Sequence, residues 1–258
     1  MTHASLFSGI GGFDLAADWM GWENLFHCEW NPFGQQVLKH HFPKSISYND
    51  ITKTDFTIHR GQVDILSGGF PCQPYSTAGL RKGKEDERHL WPAMLRAIRE
   101  IEPSWVVGEN VRGLVSWGGG MVFDEVQTDL EAEGYEVLPF LLPACAVNAP
   151  HRRDRIWFIA YSDKIRFQST MENEKLGGQF GFTKRNECNQ WNTFPTKPAI
   201  CGGNDGLPNE LDNVSISKWK KESLMAYGNA IVPQVAYQIF NAIEKYNGHN
   251  RKRVNKVG

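Results

Sequence analysis

Between residues 3 and 161, short apolar runs alternate with stretches of helical period, and no other feature narrows the possible folds so far. The runs are Ala4–Phe7, Leu25–Cys28, Val63–Leu66, Trp105–Val107, Val137–Leu142 and Ile156–Ala160. Runs this short and this apolar suit strands buried on both faces of a largely parallel sheet. The stretches between them carry helix signals. Asn31 followed by Pro32 reads as an N-cap with proline at the first helical position. Val122, Val126 and Leu130 fall on one helical stripe, and Gly134 stands where that helix would end. The expected fold is α/β, with a doubly wound, mostly parallel sheet.

The alternation stops near residue 162. From Ser162 to Ser223 the sequence is polar and rich in Gly, Asn and Lys, with nine basic residues against eight acidic ones and no clear period. This reads either as a small irregular subdomain or as a partly disordered stretch. Order returns at Ile231, where Val232, Val235, Ala236, Ile239 and Ile243 make an amphipathic helix. The chain after Tyr246, with Arg251, Lys252, Arg253 and Lys256, reads as a solvated end. The expected organisation is therefore a domain over 1–161, an irregular region over 162–223, a returning helix over 224–246 and a basic tail over 247–258.

Charge and cysteine usage exclude several classes. Lys plus Arg number 28 and Asp plus Glu 29, so a polyanionic partner would have to be held by local basic patches. The five cysteines, Cys28, Cys72, Cys145, Cys188 and Cys201, have no zinc spacing and an odd count. No metal site is expected, and the thiols suit a reducing cytosol. There is no run of 18 apolar residues and no secretion signal at the start, so a cytoplasmic protein without a membrane span is expected.

Six segments carry chemistry. In LFSGIGGFDLAA, over 6–17, an apolar strand runs into Gly9, Gly11 and Gly12 and then a helix, a turn that lets backbone approach a ligand. A bare strand-to-helix turn would read the same. Glu29-Trp30 ends the next strand, and Asp50-Ile51 lies near the end of a possible third. An acid at the second strand end can bond ribose hydroxyls, and an indole can stack on adenine. In DILSGGFPCQPYS, over 64–76, a buried strand leads to Pro71-Cys72-Gln73, which places a thiol beyond a strand's carboxyl end. WVVGENVRGL ends a strand at Glu109-Asn110, and APHRRDRIWFIA puts Arg153 and Arg155 before another. A carboxyl with a raised pKa can donate a proton to a ring nitrogen. Strand alternation puts Arg153 and Arg155 on one side, available to a phosphate or a carbonyl oxygen. The plain alternative is a surface ion-pair cluster around Asp154.

Taken in order, these segments resemble the DNA (cytosine-5) methyltransferases. Phe7-Ser8-Gly9-Ile10-Gly11-Gly12 matches the family's first motif, and Glu29-Trp30 and Asp50-Ile51 its ribose and adenine contacts. Pro71-Cys72-Gln73 matches the catalytic motif, Glu109-Asn110-Val111 the ENV motif, and Arg153-x-Arg155 the QxRxR motif, with His151 in place of the usual Gln. Gly228-Asn229-Ala230-Ile231-Val232-Pro233 matches the last motif. The resemblance implies a class I methyltransferase, Rossmann-like fold, S-adenosyl-L-methionine as cofactor, and double-stranded DNA as partner of a chain expected to be monomeric. It also implies a restriction-modification setting, in a prokaryote or phage. Cys72 would add to carbon 6 of a flipped-out cytosine, with Glu109, Arg153 and Arg155 completing the catalytic set. Phe7, Gly9, Ile10, Gly11, Gly12, Glu29, Trp30, Asp50, Ile51, Pro71, Leu90, Asn229 and Ala230 would line the cofactor site. Arg81, Lys82, Lys84 and Arg88, in a segment suited to a lid, would contact DNA. Region 162–223 would be a small target-recognition region. Two other readings stay open: a tRNA cytosine-5 methyltransferase with the same motifs, and a non-catalytic DNA-binding module.

Overall fold

A computed structural model of the chain describes residues 1–71, 90–162 and 218–254. Cys72, Arg81, Lys82, Lys84, Arg88 and most of the irregular region lie outside the described residues. Seven strands form one sheet in the order β3-β2-β1-β4-β5-β7-β6. They are β1 (Thr2–Leu6), β2 (Glu23–Cys28), β3 (Ile46–Tyr48), β4 (Ile65–Gly68), β5 (Trp105–Val111), β6 (Tyr135–Leu142) and β7 (Arg155–Ser162). The first five pair in parallel, and β7 runs antiparallel to both β5 and β6. The helices are α1 (Gly12–Trp19), α2 (Pro32–His41), α3 (Trp91–Ile101), α4 (Met121–Ala132), α5 (Lys218–Asn229) and α6 (Pro233–Val254).

Two apolar layers cover the sheet. One gathers Leu66, Met94, Ile98, Val126, Leu130 and Phe158, with side chains from α3 and α4. The other gathers Phe13, Trp157, Val235, Ile239, Phe240 and Ile243, where α1 meets α6. Neighbours on β7 divide between the layers, Trp157 to one and Phe158 to the other, because successive strand side chains point to opposite faces. Fully burying a Phe or Ile contributes roughly 1.5–3 kcal/mol, so the stripe read over 235–243 is what returns the distant end of the chain to the first helix.

The cap signals behave as read. Asn31 accepts from the amides of Phe33 at 2.8 Å and Gly34 at 3.4 Å, and Gly134 follows α4 with φ 80°. Three expectations differ. The first strand stops at Leu6, because Phe7 turns into the left-handed region at φ 52°. The apolar run 137–142 is not buried on both faces. It lies on the edge strand β6, and Leu138, Phe140 and Leu141 are exposed by 40–47%. Hydrophobicity alone does not distinguish an edge strand from a central one. The helix α6 continues to Val254, beyond the end read at Tyr246. The apolar stripe ends at Ile243, but 244–254 holds no proline, and a helix needs no buried face to extend.

Polar side chains also lie inside. His3, with no exposed surface, bonds Asn24 Oδ1 through Nδ1 at 2.6 Å and Ser67 Oγ through Nε2 at 2.8 Å. Asn24 Nδ2 donates to the Asp14 carbonyl, which sets the amide's orientation. His3 Nδ1 is then the donor and Nε2 the acceptor of the neutral ring. The Asp14 carboxyl is fully buried and accepts from Ser5 Oγ at 2.9 and 3.0 Å, while Ser5 bonds Ser8 of the glycine turn at 2.6 Å. Burial pushes Asp14 up to about 7, against the smaller pull of the Ser5 hydroxyl. A carboxyl raised in the folded state stabilises it fully below its unfolded pKa, and that contribution is lost as pH rises through the folded value. Relative to Asp14→Asn, the wild-type chain should lose stability between about pH 4 and 7, by on the order of a few kcal/mol. Urea midpoints of both proteins across that range check this. A constant difference between them would contradict it.

Candidate active site

The sheet order reverses between β1 and β4. β1 pairs with β2 on one side and with β4 on the other, so connections leave their carboxyl ends in opposite directions and open a crevice there. Leu6 and Gly68 are partners in register, which sets the glycine turn after β1 beside the loop after β4.

In that turn Gly9 and Gly11 have φ of 58° and 85°. A Cβ on Gly11 would meet Phe42, and one on Gly12 would lie 2.6 Å from Ile231 Cγ1. A Cβ on Gly9 would meet nothing within 4 Å. Gly11 and Gly12 thus serve packing, while Gly9 faces open space. Glu29, just past β2, accepts from the Gly9 amide at 2.6 Å and from the Asn31 amide at 2.7 Å. Burial raises its pKa, and the two amide bonds oppose that. Trp30 beside it is 75% exposed, an indole face open to stacking. Asp50 lies two residues beyond β3. Its Oδ1 accepts from the Thr52 amide at 2.9 Å and the Thr52 hydroxyl at 2.6 Å, bonds that hold the carboxyl below its usual range. Ile51 is buried. Phe7 and Ile10 flank the turn and are half-buried.

Across the crevice, Phe70 packs on Trp91 and Phe158, and Pro71 follows it, exposed. Asn110 Nδ2 donates to the Phe70 carbonyl at 2.8 Å, and the Leu90 amide donates to the Pro71 carbonyl at 3.3 Å. The chain thus leaves at 71 and re-enters at 90 from one hydrogen-bonded base. Glu109, buried in β5, directs Oε2 towards Gly69, where a Cβ would sit 3.2 Å away. Its Oε1 pairs with Arg155 Nε at 2.8 Å. Burial still wins over the two cations Arg155 and Arg153 and pushes Glu109 up to about 7.

The paired arginines do not share one side of a strand. Arg153 has φ 38° and precedes β7, so alternation does not apply to it. Arg155 goes to Glu109. Arg153 Nη2 donates to the carbonyls of Gly228 at 2.9 Å and Ala230 at 2.7 Å, and so ties the last motif to the crevice. Asn229, at the end of α5, is exposed. The ion-pair alternative holds for the neighbours, since Asp154 pairs with Arg152 at 3.0 Å and Arg112 at 3.1 Å.

Two contributors were not legible. Gly34 in α2 has Gly9 O only 2.6 Å from where its Cβ would be, so a side chain there would displace the turn. The signal was a glycine placed early in a capped helix. Arg96 on α3 donates to the Ile51 and Thr54 carbonyls and pairs with Glu100 at 2.6 Å, which pins the turn carrying Asp50 and Ile51. Nothing in the sequence separates it from a surface arginine. Among the described residues no cluster of His, Cys, Asp or Glu could hold a metal ion, and no helix is long and apolar enough to cross a membrane.

A reversed strand β7 between two strands of the common direction, on a sheet whose order switches at β1, is the class I methyltransferase architecture. The family profile of the C-5 cytosine-specific DNA methylases matches residues 1–197, and the chain belongs to that family. It is 37% identical over 170 residues to Type II methyltransferase M.PspPI of Psychrobacter sp., covering 63% of this chain and 41% of that protein. It is 28% identical over 252 residues to Type II methyltransferase M.BsuFI of Bacillus subtilis, covering 95% and 56%. The chain thus spans about half the length of these relatives. A DNA modification methyltransferase encoded within an E. coli prophage shares the fold, with a TM-score of 0.55, 24% identity and coverage of 64% and 48%.

Proposed function

We propose that this chain transfers a methyl group from S-adenosyl-L-methionine to carbon 5 of a cytosine swung out of duplex DNA. One observation carries the reading. A buried carboxylic acid with a pKa near neutrality, Glu109, faces the base of the Pro71-Cys72 loop across the switch point from the glycine turn. The relatives M.PspPI and M.BsuFI are Type II methyltransferases, which supports the reading.

The residues present fit the cofactor. The space at Gly9 is open, a carboxylate stands beside it for a ribose diol, and an exposed indole adjoins that carboxylate for the adenine. Glu29, Trp30, Asp50 and Ile51 would hold the nucleoside half. Phe7, Gly9 to Gly12, Pro71, Leu90, Asn229 and Ala230 would line the rest. Bound there, the cofactor supplies an electrophilic methyl group on a sulfonium. Glu29→Ala should weaken binding of S-adenosylhomocysteine by roughly tenfold or more, since hydrogen bonds to a charged group are worth about 1.5–3 kcal/mol. Calorimetry checks this, and unchanged affinity would remove Glu29 from the site.

The remaining steps belong to side chains. The Cys72 thiolate bonds to carbon 6, and the displaced ring electrons make carbon 5 nucleophilic towards the methyl group. Protonated Glu109 donates to N3 as negative charge develops there. Arg155 orients Glu109 and faces the ring's O2, while Arg153 fixes the edge of the site through residues 228–230. After transfer, carbon 5 loses its proton to a base and the Cys72–carbon 6 bond breaks, which regenerates the thiolate and the aromatic ring. The base must first leave the duplex, at a cost of a few kcal/mol. Arg81, Lys82, Lys84 and Arg88 would meet phosphates around it, and region 162–223 would read the sequence.

Bisulfite sequencing of DNA from cells expressing the chain tests this. The expected result is protected cytosines in one fixed sequence context. Complete conversion at every site, with purified duplex DNA also unmodified, would overturn it. Modification of tRNA alone would redirect it.

A further inference from the structure

Gln35 stands in the first turns of α2, directly behind the Glu29-Trp30 pair. Its side-chain amide donates to the Glu29 carbonyl at 2.7 Å and to the Trp30 carbonyl at 3.2 Å. One amide group thus holds both peptide carbonyls of that pair. The Glu29 carboxylate is fixed from the other side, by the Gly9 and Asn31 amides. Asn31 in turn caps α2 through the Phe33 amide. Trp30 is three-quarters exposed, so little packing holds its side chain. Gln35 anchors the backbone that carries it to the helix.

We propose that Gln35 is a positioning residue for the nucleoside half of the cofactor. It holds Glu29 and Trp30 in the geometry that accepts a ribose and a flat base. The assignment rests on the cofactor reading above. Gln35 need not touch the ligand. Its contribution is pre-organisation, since a turn already held in the bound geometry loses less conformational freedom on binding. Gly34 supports the same arrangement, because its missing side chain lets the Gly9 carbonyl lie against α2. The first turns of α2 therefore brace the glycine turn and the acid–indole pair together.

Two substitutions in the full chain test this. Gln35→Glu keeps the size of the side chain but, ionised, puts oxygens where the donor was. Gln35→Met removes the donor without adding charge. Both should weaken S-adenosylhomocysteine binding in calorimetry by about tenfold, the effect of losing one to two ordinary hydrogen bonds. The KM for S-adenosylmethionine should rise in parallel while kcat stays within about twofold, because the interaction acts equally on ground and transition states. Melting temperatures should stay within a few degrees of wild type. A merely structural role would lower the melting temperature and leave KM unmoved. Affinities within twofold of wild type for both variants, or a fall in kcat in place of a rise in KM, would overturn the assignment. A wild-type chain that binds no S-adenosylhomocysteine would remove the cofactor reading and this one with it. A wild-type chain that binds, with both variants unaffected, would remove this one alone.

Discussion

Cys72→Ser should abolish methyl transfer, by roughly 10³-fold or more, while S-adenosylhomocysteine binding stays within about twofold. A serine hydroxyl in the same place is almost wholly protonated near neutral pH and is the weaker nucleophile, so carbon 6 is not attacked and carbon 5 is never activated. The split between the two readouts gives the test its force. In the proposed scheme binding would belong to the glycine turn and Glu29, on one side of the switch point. Bond formation would belong to the loop that begins at Pro71, on the other. Single-turnover assays with tritiated S-adenosylmethionine, beside calorimetry, measure both. Normal turnover by the variant would rule out the covalent route.

Glu109→Gln should lower kcat by roughly 10²- to 10⁴-fold, the span that a positioned proton donor contributes. Glutamine keeps the shape and can still donate a hydrogen bond, but it cannot give up a proton. The pH dependence separates these roles. Burial places Glu109 at about 7 despite the Arg155 pair, so its acid form is populated near neutrality and is lost above it. The wild-type rate should therefore fall above about pH 7 as Glu109 loses its proton. The variant should lose that falling limb. Because the folded pKa is raised from 4.5, the neutral form is the one the buried site prefers, so substitution by a neutral amide should cost little stability. Thermal melting checks that the fold persists. A falling limb of unchanged position in Glu109→Gln would assign that titration to another group.

The parts of the site that were legible from the residues share a local cause. A glycine cluster after an apolar run and an Asn-Pro cap are each written within a few consecutive residues. Glu29 was legible by its place at the end of the second strand, but the Gly9 and Asn31 amides that it accepts from were not. Arg153 was legible as a residue but not as a contact, since its positive φ and its bonds to residues 228 and 230 depend on chain 75 residues away. Gln35 and Arg96 were silent, and Gly34 showed only as a glycine early in a capped helix. Each acts on backbone that only folding brings to it.

The sequence by itself determined the alternation of strands and helices, the family, and the chemical types available at the crevice. Hydrophobic period and turn residues act through near neighbours, and those are visible in one dimension. Tertiary structure decided the rest. It chose the reversed strand β7, made β6 an edge, and separated the roles of Arg153 and Arg155. It also raised the Glu109 and Asp14 carboxyls towards neutrality. Those outcomes arise from desolvation and from partners distant along the chain, and both exist only once the sheet has brought distant segments together.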